Sequence, residues 1–253
     1  MSVEIFLGIM IFVLGLCVGS FINMALWRVE NKKSFFKKQR SICDYCGKEL
    51  RWTDNIPVIS WILLKGKSQC CGKKLPILYP VVEITTGILF YLNFIYFREN
   101  FWLMLINLLI SGLLVFEAAF DFQYMMLPDA TAYALIILAG IKWILMGTSI
   151  FFLIYAVISA LFIFILHKIK IRGQEAMGDG DILLAFFMGL FLGFPNIIVA
   201  FYVAFIVGAV IGGILMWFKK IGRMSPIPFG PFLILGTIIA YYWGENLLRI
   251  LNL

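Results

Sequence analysis

The sequence predicts an all-α fold: a polytopic membrane protein of about eight transmembrane helices with a small cysteine-bearing insert. Three observations carry this. The chain is 62% hydrophobic and only 14% charged, whereas a soluble domain carries roughly a quarter charged residues. Its mean hydropathy is +0.98. Its apolar runs come in lengths suited to a bilayer, which takes about 20 residues of helix to cross.

Eight runs follow in order: Ile5–Trp27, Ile77–Phe97, Trp102–Phe120, Thr131–Met146, Ile150–Leu166, Ile182–Phe194, Ile197–Phe218 and Phe232–Trp243. No basic residue precedes the first run, and it is too long for a cleavable signal core, so it reads as a retained span. "GFPN" (Gly193–Asn196) and "SPIPFGP" (Ser225–Pro231) break helices.

Charge orients the chain. With the N-terminus outside, the loops Arg28–Lys74, Asp121–Asp129, Lys168–Asp181 and Lys219–Arg223 hold 18 of the 21 Lys and Arg residues. Such a bias marks cytoplasmic loops. It accounts for the net charge of +7 without a nucleic-acid partner. The expected organisation is a first span (1–27), a basic cytoplasmic insert (28–75) and a membrane core (76–253). Within the insert, "IPVISWILL" (Ile56–Leu64) is too short to span. It either lies flat on the membrane with Trp61 at the interface or forms the apolar strip of the insert's own core.

Four of the five cysteines fall in the insert: Cys43 and Cys46 in "CDYC", Cys70 and Cys71 in "QCCG". Stable disulfides are uncommon in the cytoplasm. Two separated thiolate pairs suit a structural Zn²⁺, which would supply folding energy to an insert with little core. Cys43, Cys46 and Cys71 are the expected ligands, with Cys70 as the fourth; Ser68 stands where a C-x-x-C partner of Cys71 would be. Cys17, within the first span, reads as a small apolar residue.

Carboxylates at membrane depth are costly and tend to be functional. Glu117 and Asp121 lie four apart near the end of the third run, on one helix face. Pro128 and Asp129 follow, with Asp129 expected to cap the next helix. Asp179 and Asp181 alternate with Gly178 and Gly180 at the start of the sixth run. On the topology above, Asp121 and Asp181 share one membrane depth. Two readings stand on the residues alone. The pair is either two helix caps or a protease dyad, in which two carboxyls share one proton and activate a water. Gly178 and Gly180 would let a substrate backbone approach Asp181. A third reading, carboxylates relaying protons or cations in a transporter, requires a polar path through the spans that the sequence lacks.

The ordered motifs resemble the type IV prepilin peptidases. "GDGD" (Gly178–Asp181) fits their G-x-G-D signature, and "DFQYMMLPD" (Asp121–Asp129) their D-x(6)-P-[DN] segment. "GSFINMALWR" (Gly19–Arg28), "LYPVVEITTG" (Leu78–Gly87) and "PIPFGPFLILG" (Pro226–Gly236) are similar to further family stretches, as are the flanks of the cysteine loop. The resemblance implies a bacterial inner-membrane aspartic endopeptidase. It would cut the leader of type IV prepilins or pseudopilins after glycine at the cytoplasmic face. It would also N-methylate the new N-terminus with S-adenosylmethionine, a role associated with the N-terminal region and the surroundings of Glu83. The catalytic pair maps onto Asp121 and Asp181, with Asp129 and the variable-position Asp179 ranked below them. Gly19, Asn23 and Glu83 match family positions without an assigned role. Three departures stand out: Ser68 for a cysteine, Leu183 for the lysine that follows G-x-G-D, and the additional carboxylate Glu117.

Overall fold

The computed structural model describes residues 2–33, 42–43, 45–171, 174–175, 177–218 and 227–251. The expected basic loop Lys219–Arg223 lies outside them, as do Ser225 and Pro226 of the "SPIPFGP" break and residues 34–41 and 44 of the insert. Among the described residues the protein is helical: α1 (Ser2–Glu30), α2 (Ile59–Leu63), α3 (Leu78–Phe97), α4 (Phe101–Tyr124), α5 (Asp129–Met146), α6 (Phe151–Lys168), α7 (Asp179–Leu192), α8 (Asn196–Trp217) and α9 (Gly230–Leu251). A two-residue ladder joins α6 to α7: β1 (Lys170–Ile171) runs antiparallel to β2 (Gln174–Glu175), with Lys170 opposite Glu175.

Among the described residues six helices, α1, α3, α4, α5, α6 and α8, are long and apolar enough to cross a membrane. The remaining two expected spans correspond to α7 and α9. At 14 residues α7 is about 21 Å long, short of a bilayer's hydrocarbon core. It is also apolar all round, which suits a helix enclosed by others. Leu184, Ala185, Phe187 and Met188 are all buried, and α7 packs on α5, α6, α8 and α9. Large apolar residues such as Ile5, Phe6, Ile9, Ile158 and Ile206 face outward, as lipid-facing surfaces do.

The chain forms two compact units, Met1–Ala119 and Phe120–Leu253. In the first, α1 lies along α3. The approach is close: a Cβ on Gly19 would stand 2.5 Å from the Cα of Glu83, so only glycine fits. Asn93 of α3 donates to the Ser111 hydroxyl of α4 at 2.8 Å, a polar tie between apolar helices. In the second unit α7 is the hub, and α8 packs along α9.

Candidate active site

Asp121 sits in the last turn of α4. The helix ends because Met125 takes a left-handed conformation (φ 54°) while its N–H still bonds to the Asp121 carbonyl. Pro128 then starts α5 from an extended conformation. The short link between them carries Leu127 inward. A Cβ on Gly180 would stand 2.7 Å from Leu127 Cβ, and one on Gly230 would stand 3.3 Å from Leu127 Cδ2. One leucine therefore rests against the first turn of α7 and the first residue of α9. Gly230 donates its backbone N–H to Asp121 Oδ2 at 3.0 Å. A Cβ there would come within 2.7 Å of that same oxygen.

Asp181 is held in the same manner. Gly178 is the N-cap of α7 and Asp181 its third residue; the Gly178 N–H donates to Asp181 Oδ2 at 3.0 Å. This is half of a capping box, in which an acid in the first turn reaches back to the cap's N–H. Both carboxylates are 6% exposed, and the Asp121 charge acts on Asp181. Each thus accepts from a glycine N–H at the positive end of a helix.

The other acids are placed differently. Asp179 is exposed and faces His167 Nε2 at 3.5 Å. Asp129 is exposed in the first turn of α5; the cap position is Pro128, so Asp129 complements the helix dipole rather than capping it. Glu117 is buried one turn before Asp121. Gly180 is needed for packing against Leu127, while Gly178 is exposed and has room for a Cβ, its nearest neighbour standing at 3.7 Å.

Sequence reasoning passed over His167. It is buried, and its Nδ1 lies 2.7 Å from the Met177 carbonyl oxygen, so Nδ1 carries the hydrogen. It secures the turn ahead of "GDGD". Its signal was available: it is the sole histidine in the chain, at the end of the run preceding that motif.

In the insert, Cys43, Cys46, Cys70 and Cys71 bring all four sulfurs within 4.8 Å of one another. The two knuckles have matching backbones. The Cys43 N–H bonds to the Lys48 carbonyl and the Gly47 N–H to the Cys43 carbonyl; the Ser68 N–H bonds to the Lys73 carbonyl and the Gly72 N–H to the Ser68 carbonyl. Gly47 and Gly72 both take φ near +70° (69° and 70°). Ser68 therefore occupies the place of Cys43, and Cys71 that of Cys46. Cys70 sits beside them with its sulfur 3.2 Å from the Ser68 hydroxyl and 3.1 Å from Cys46. Tetrahedral Zn–S bonds of about 2.3 Å set sulfurs roughly 3.8 Å apart, the separation of Cys43 and Cys71. The donor set fits zinc. Burial resists ionising Cys43, but hydrogen bonds from Ser68 and from the Tyr45 and Cys46 backbone outweigh it and bring its thiol down to about 6. At Cys70 the Ser68 bond pulls down, but Cys46 and Cys43 prevail and push the thiol up to about 11. A divalent cation among them would release the remaining protons.

The first unit also encloses a cavity of about 400 Å³, lined by Ser20, Asn23, Trp27, Trp61, Tyr79 and Glu83 among others. Cys17 reaches it as well. Trp61 lines it too, while its neighbours Ile59, Ile62 and Leu63 on α2 stay exposed. Glu83 is 7% exposed and accepts from the Val58 N–H at 2.7 Å and from the side chains of Ser20 and Asn23. Val58 has φ 63° and ψ −49°, with the Ile59 N–H on the Pro57 carbonyl. This is the strained form of γ-turn, and for a β-branched residue such backbone costs of order 1–3 kcal/mol.

Two family models match the chain: "Bacterial Peptidase A24 N-terminal domain" over residues 13–97 and "Type IV leader peptidase family" over residues 107–213. Similar curated proteins are each named prepilin leader peptidase/N-methyltransferase. The one from Bacillus subtilis is 30% identical, covering 94% of this chain and 95% of its own length. Those from Xanthomonas campestris and Pseudomonas aeruginosa are 29% and 28% identical, covering 92% and 93% of this chain and 90% of each relative. No solved structure matches. The chain belongs to the type IV leader peptidase family, as a member that carries the bacterial N-terminal domain together with the peptidase domain.

Proposed function

We propose that Asp121 and Asp181 are the catalytic pair of a membrane aspartic endopeptidase that cuts the leader of prepilins or pseudopilins after glycine. The observation that carries it is their matched setting. Two buried carboxylates, one the fourth residue of "GDGD", each accept a glycine N–H, and the charge of Asp121 acts on Asp181. Close like charges do not both ionise, so one acid keeps a proton. The ionised member takes a proton from a water. The protonated member hydrogen-bonds the scissile carbonyl as the water adds, and the leaving amine collects a proton as the peptide bond breaks. The glycine N–H bonds fix both carboxyls, leaving little reorganisation for the reaction. A prepilin presents a basic leader ahead of an apolar helix, so its cut site would lie at the cytoplasmic membrane interface, where positive-inside orientation puts the acids. The transporter reading finds no counterpart among the relatives. Incubation of the purified protein with a prepilin, read by mass spectrometry, tests the assignment: wild type yields the mature pilin and Asp181→Asn does not. Equal processing by both would remove the pair.

The insert (28–75) acts as a zinc module, with Cys43, Cys46, Cys70 and Cys71 tying the two knuckles together. N-methylation of the new N-terminus belongs to the first unit. S-adenosylmethionine, when bound, supplies an electrophilic methyl group. The cavity at Glu83 fits it: Trp27, Trp61 and Tyr79 offer aromatic faces for a base or a sulfonium. Two shielded atoms of residues that line it, Asn23 Oδ1 and Trp61 Nε1, have no hydrogen-bond partner among the described residues.

A further inference from the structure

Glu83 presents an imbalance of charge. A carboxylate this buried is expensive unless it is paired, yet its hydrogen-bond partners among the described residues are all neutral, the Val58 N–H and the Ser20 and Asn23 side chains, while Arg28 lines the same cavity. Glu83, Ser20 and Asn23 all line the cavity, and the shielded Asn23 Oδ1 acceptor has no hydrogen-bond partner among the described residues. Two further features are spent on this arrangement. Gly19 lets α1 approach the Glu83 backbone, which brings Ser20 and Asn23 to the carboxylate. The strained γ-turn at Val58 aims its N–H at Glu83 Oε2. A protein that strains its backbone to position a buried anion has a use for that anion.

We infer that Glu83 and Asn23 form the seat of a protonated primary amine at the floor of this cavity. The inference rests on the methyl-transfer reading given above. Carboxylate and amide oxygen together offer acceptors to two hydrogens of an ammonium group, and its charge neutralises Glu83. Two molecules of that reaction carry such an amine: the amino-acid end of the methyl donor and the new N-terminus of the cleaved pilin.

The test uses the full chain purified in detergent and calorimetric titration with two probe pairs. One pair is S-adenosylhomocysteine, which carries the amine, and methylthioadenosine, which lacks it. The other is a short apolar peptide with a free N-terminal amine and its N-acetylated twin. Glu83→Gln keeps an acceptor for Val58 and removes the charge. It is expected to weaken the amine-bearing member of a pair by at least about tenfold, with the amine-free member held within about twofold. Asn23→Ala is expected to do the same to a smaller degree. A loss confined to S-adenosylhomocysteine identifies the donor's amine; a loss confined to the free-amine peptide identifies the pilin N-terminus. Wild-type affinity of Glu83→Gln for every probe would overturn the seat alone. So would an equal loss of charged and neutral probes in both variants, which would make these residues scaffold. A wild-type protein that binds no probe would overturn the methyl-transfer reading along with the seat.

Discussion

Gly230 donates its backbone N–H to the carboxylate of Asp121 across 109 residues of sequence. The bond joins the end of one apolar helix to the beginning of another, and it fixes where the Asp121 carboxyl points. A side chain at 230 would collide with the oxygen it holds. Gly230→Ala is therefore expected to displace Asp121 and slow prepilin cleavage by about 10- to 100-fold in kcat. Gly178→Ala is the matched comparison, because a Cβ there meets only ordinary contact at 3.7 Å. Its cleavage rate should stay within a few-fold of wild type.

Asp179 and Asp181 are two residues apart and have opposite environments, one exposed against His167 and one buried beside Gly178. Asp181→Asn and Asp121→Asn should each lower cleavage by about 10²- to 10⁴-fold or more. Asp179→Asn should keep most of it. Steady-state assays with one prepilin substrate would separate the three.

Leu127 touches both glycines that flank the acids. Gly180→Ala alone forces a contact of 2.7 Å with Leu127 and should impair cleavage and lower the melting temperature. Leu127→Ala creates a space and is itself destabilising. Because the two side chains compete for one volume, the double variant should recover part of the loss. A thermodynamic cycle on Tm would detect the coupling.

His167→Phe preserves the ring's bulk and removes the hydrogen bond to the Met177 carbonyl. A bond of that kind contributes about 1 kcal/mol. Cleavage should fall about fivefold to tenfold through kcat, with KM little changed if the turn ahead of Asp181 loses its fixed position. A change confined to KM would move His167 from positioning the acid to binding substrate.

Cys70 stands in for the cysteine that Ser68 replaces, so the two positions should be interchangeable as a metal ligand. Cys70→Ser is expected to lower zinc per chain, measured by elemental analysis. Ser68→Cys in the Cys70→Ser background should restore it by completing two equivalent C-x-x-C knuckles.

The apolar helices, the clustering of the four insert cysteines and the helix-end positions of Asp121 and Asp181 were legible because each leaves a local mark. Lipid-facing helices are apolar for a membrane's width, positive charge gathers in particular loops, and "GDGD" is a compact string. What the sequence hid was long-range geometry. Nothing near Gly230 announces that its N–H reaches Asp121, and Leu127 reads as one more apolar residue. Spacing along the chain marks Ser68 as the missing fourth cysteine; the paired backbone turns put Ser68 where Cys43 stands in the other knuckle, and the Cys70 sulfur lies among the other three. For Ile56–Leu64 the sequence left two readings open, a membrane-surface segment and an apolar strip of the insert's core; Trp61 lines the cavity of the first unit while Ile59, Ile62 and Leu63 stay exposed. Glu83 carried no chemical role until its partners were seen.

The Val58 turn links the cysteine-bearing insert to a carboxylate on α3. A chelator that slackened the cysteine knuckles would let that turn relax, and Glu83 would lose a restraint while Asp121 and Asp181 kept their own glycines. On the zinc reading, stripping the metal should thus yield pilins that are trimmed but carry a bare N-terminus, so that the mass of the released product reports on the state of the thiolate cluster.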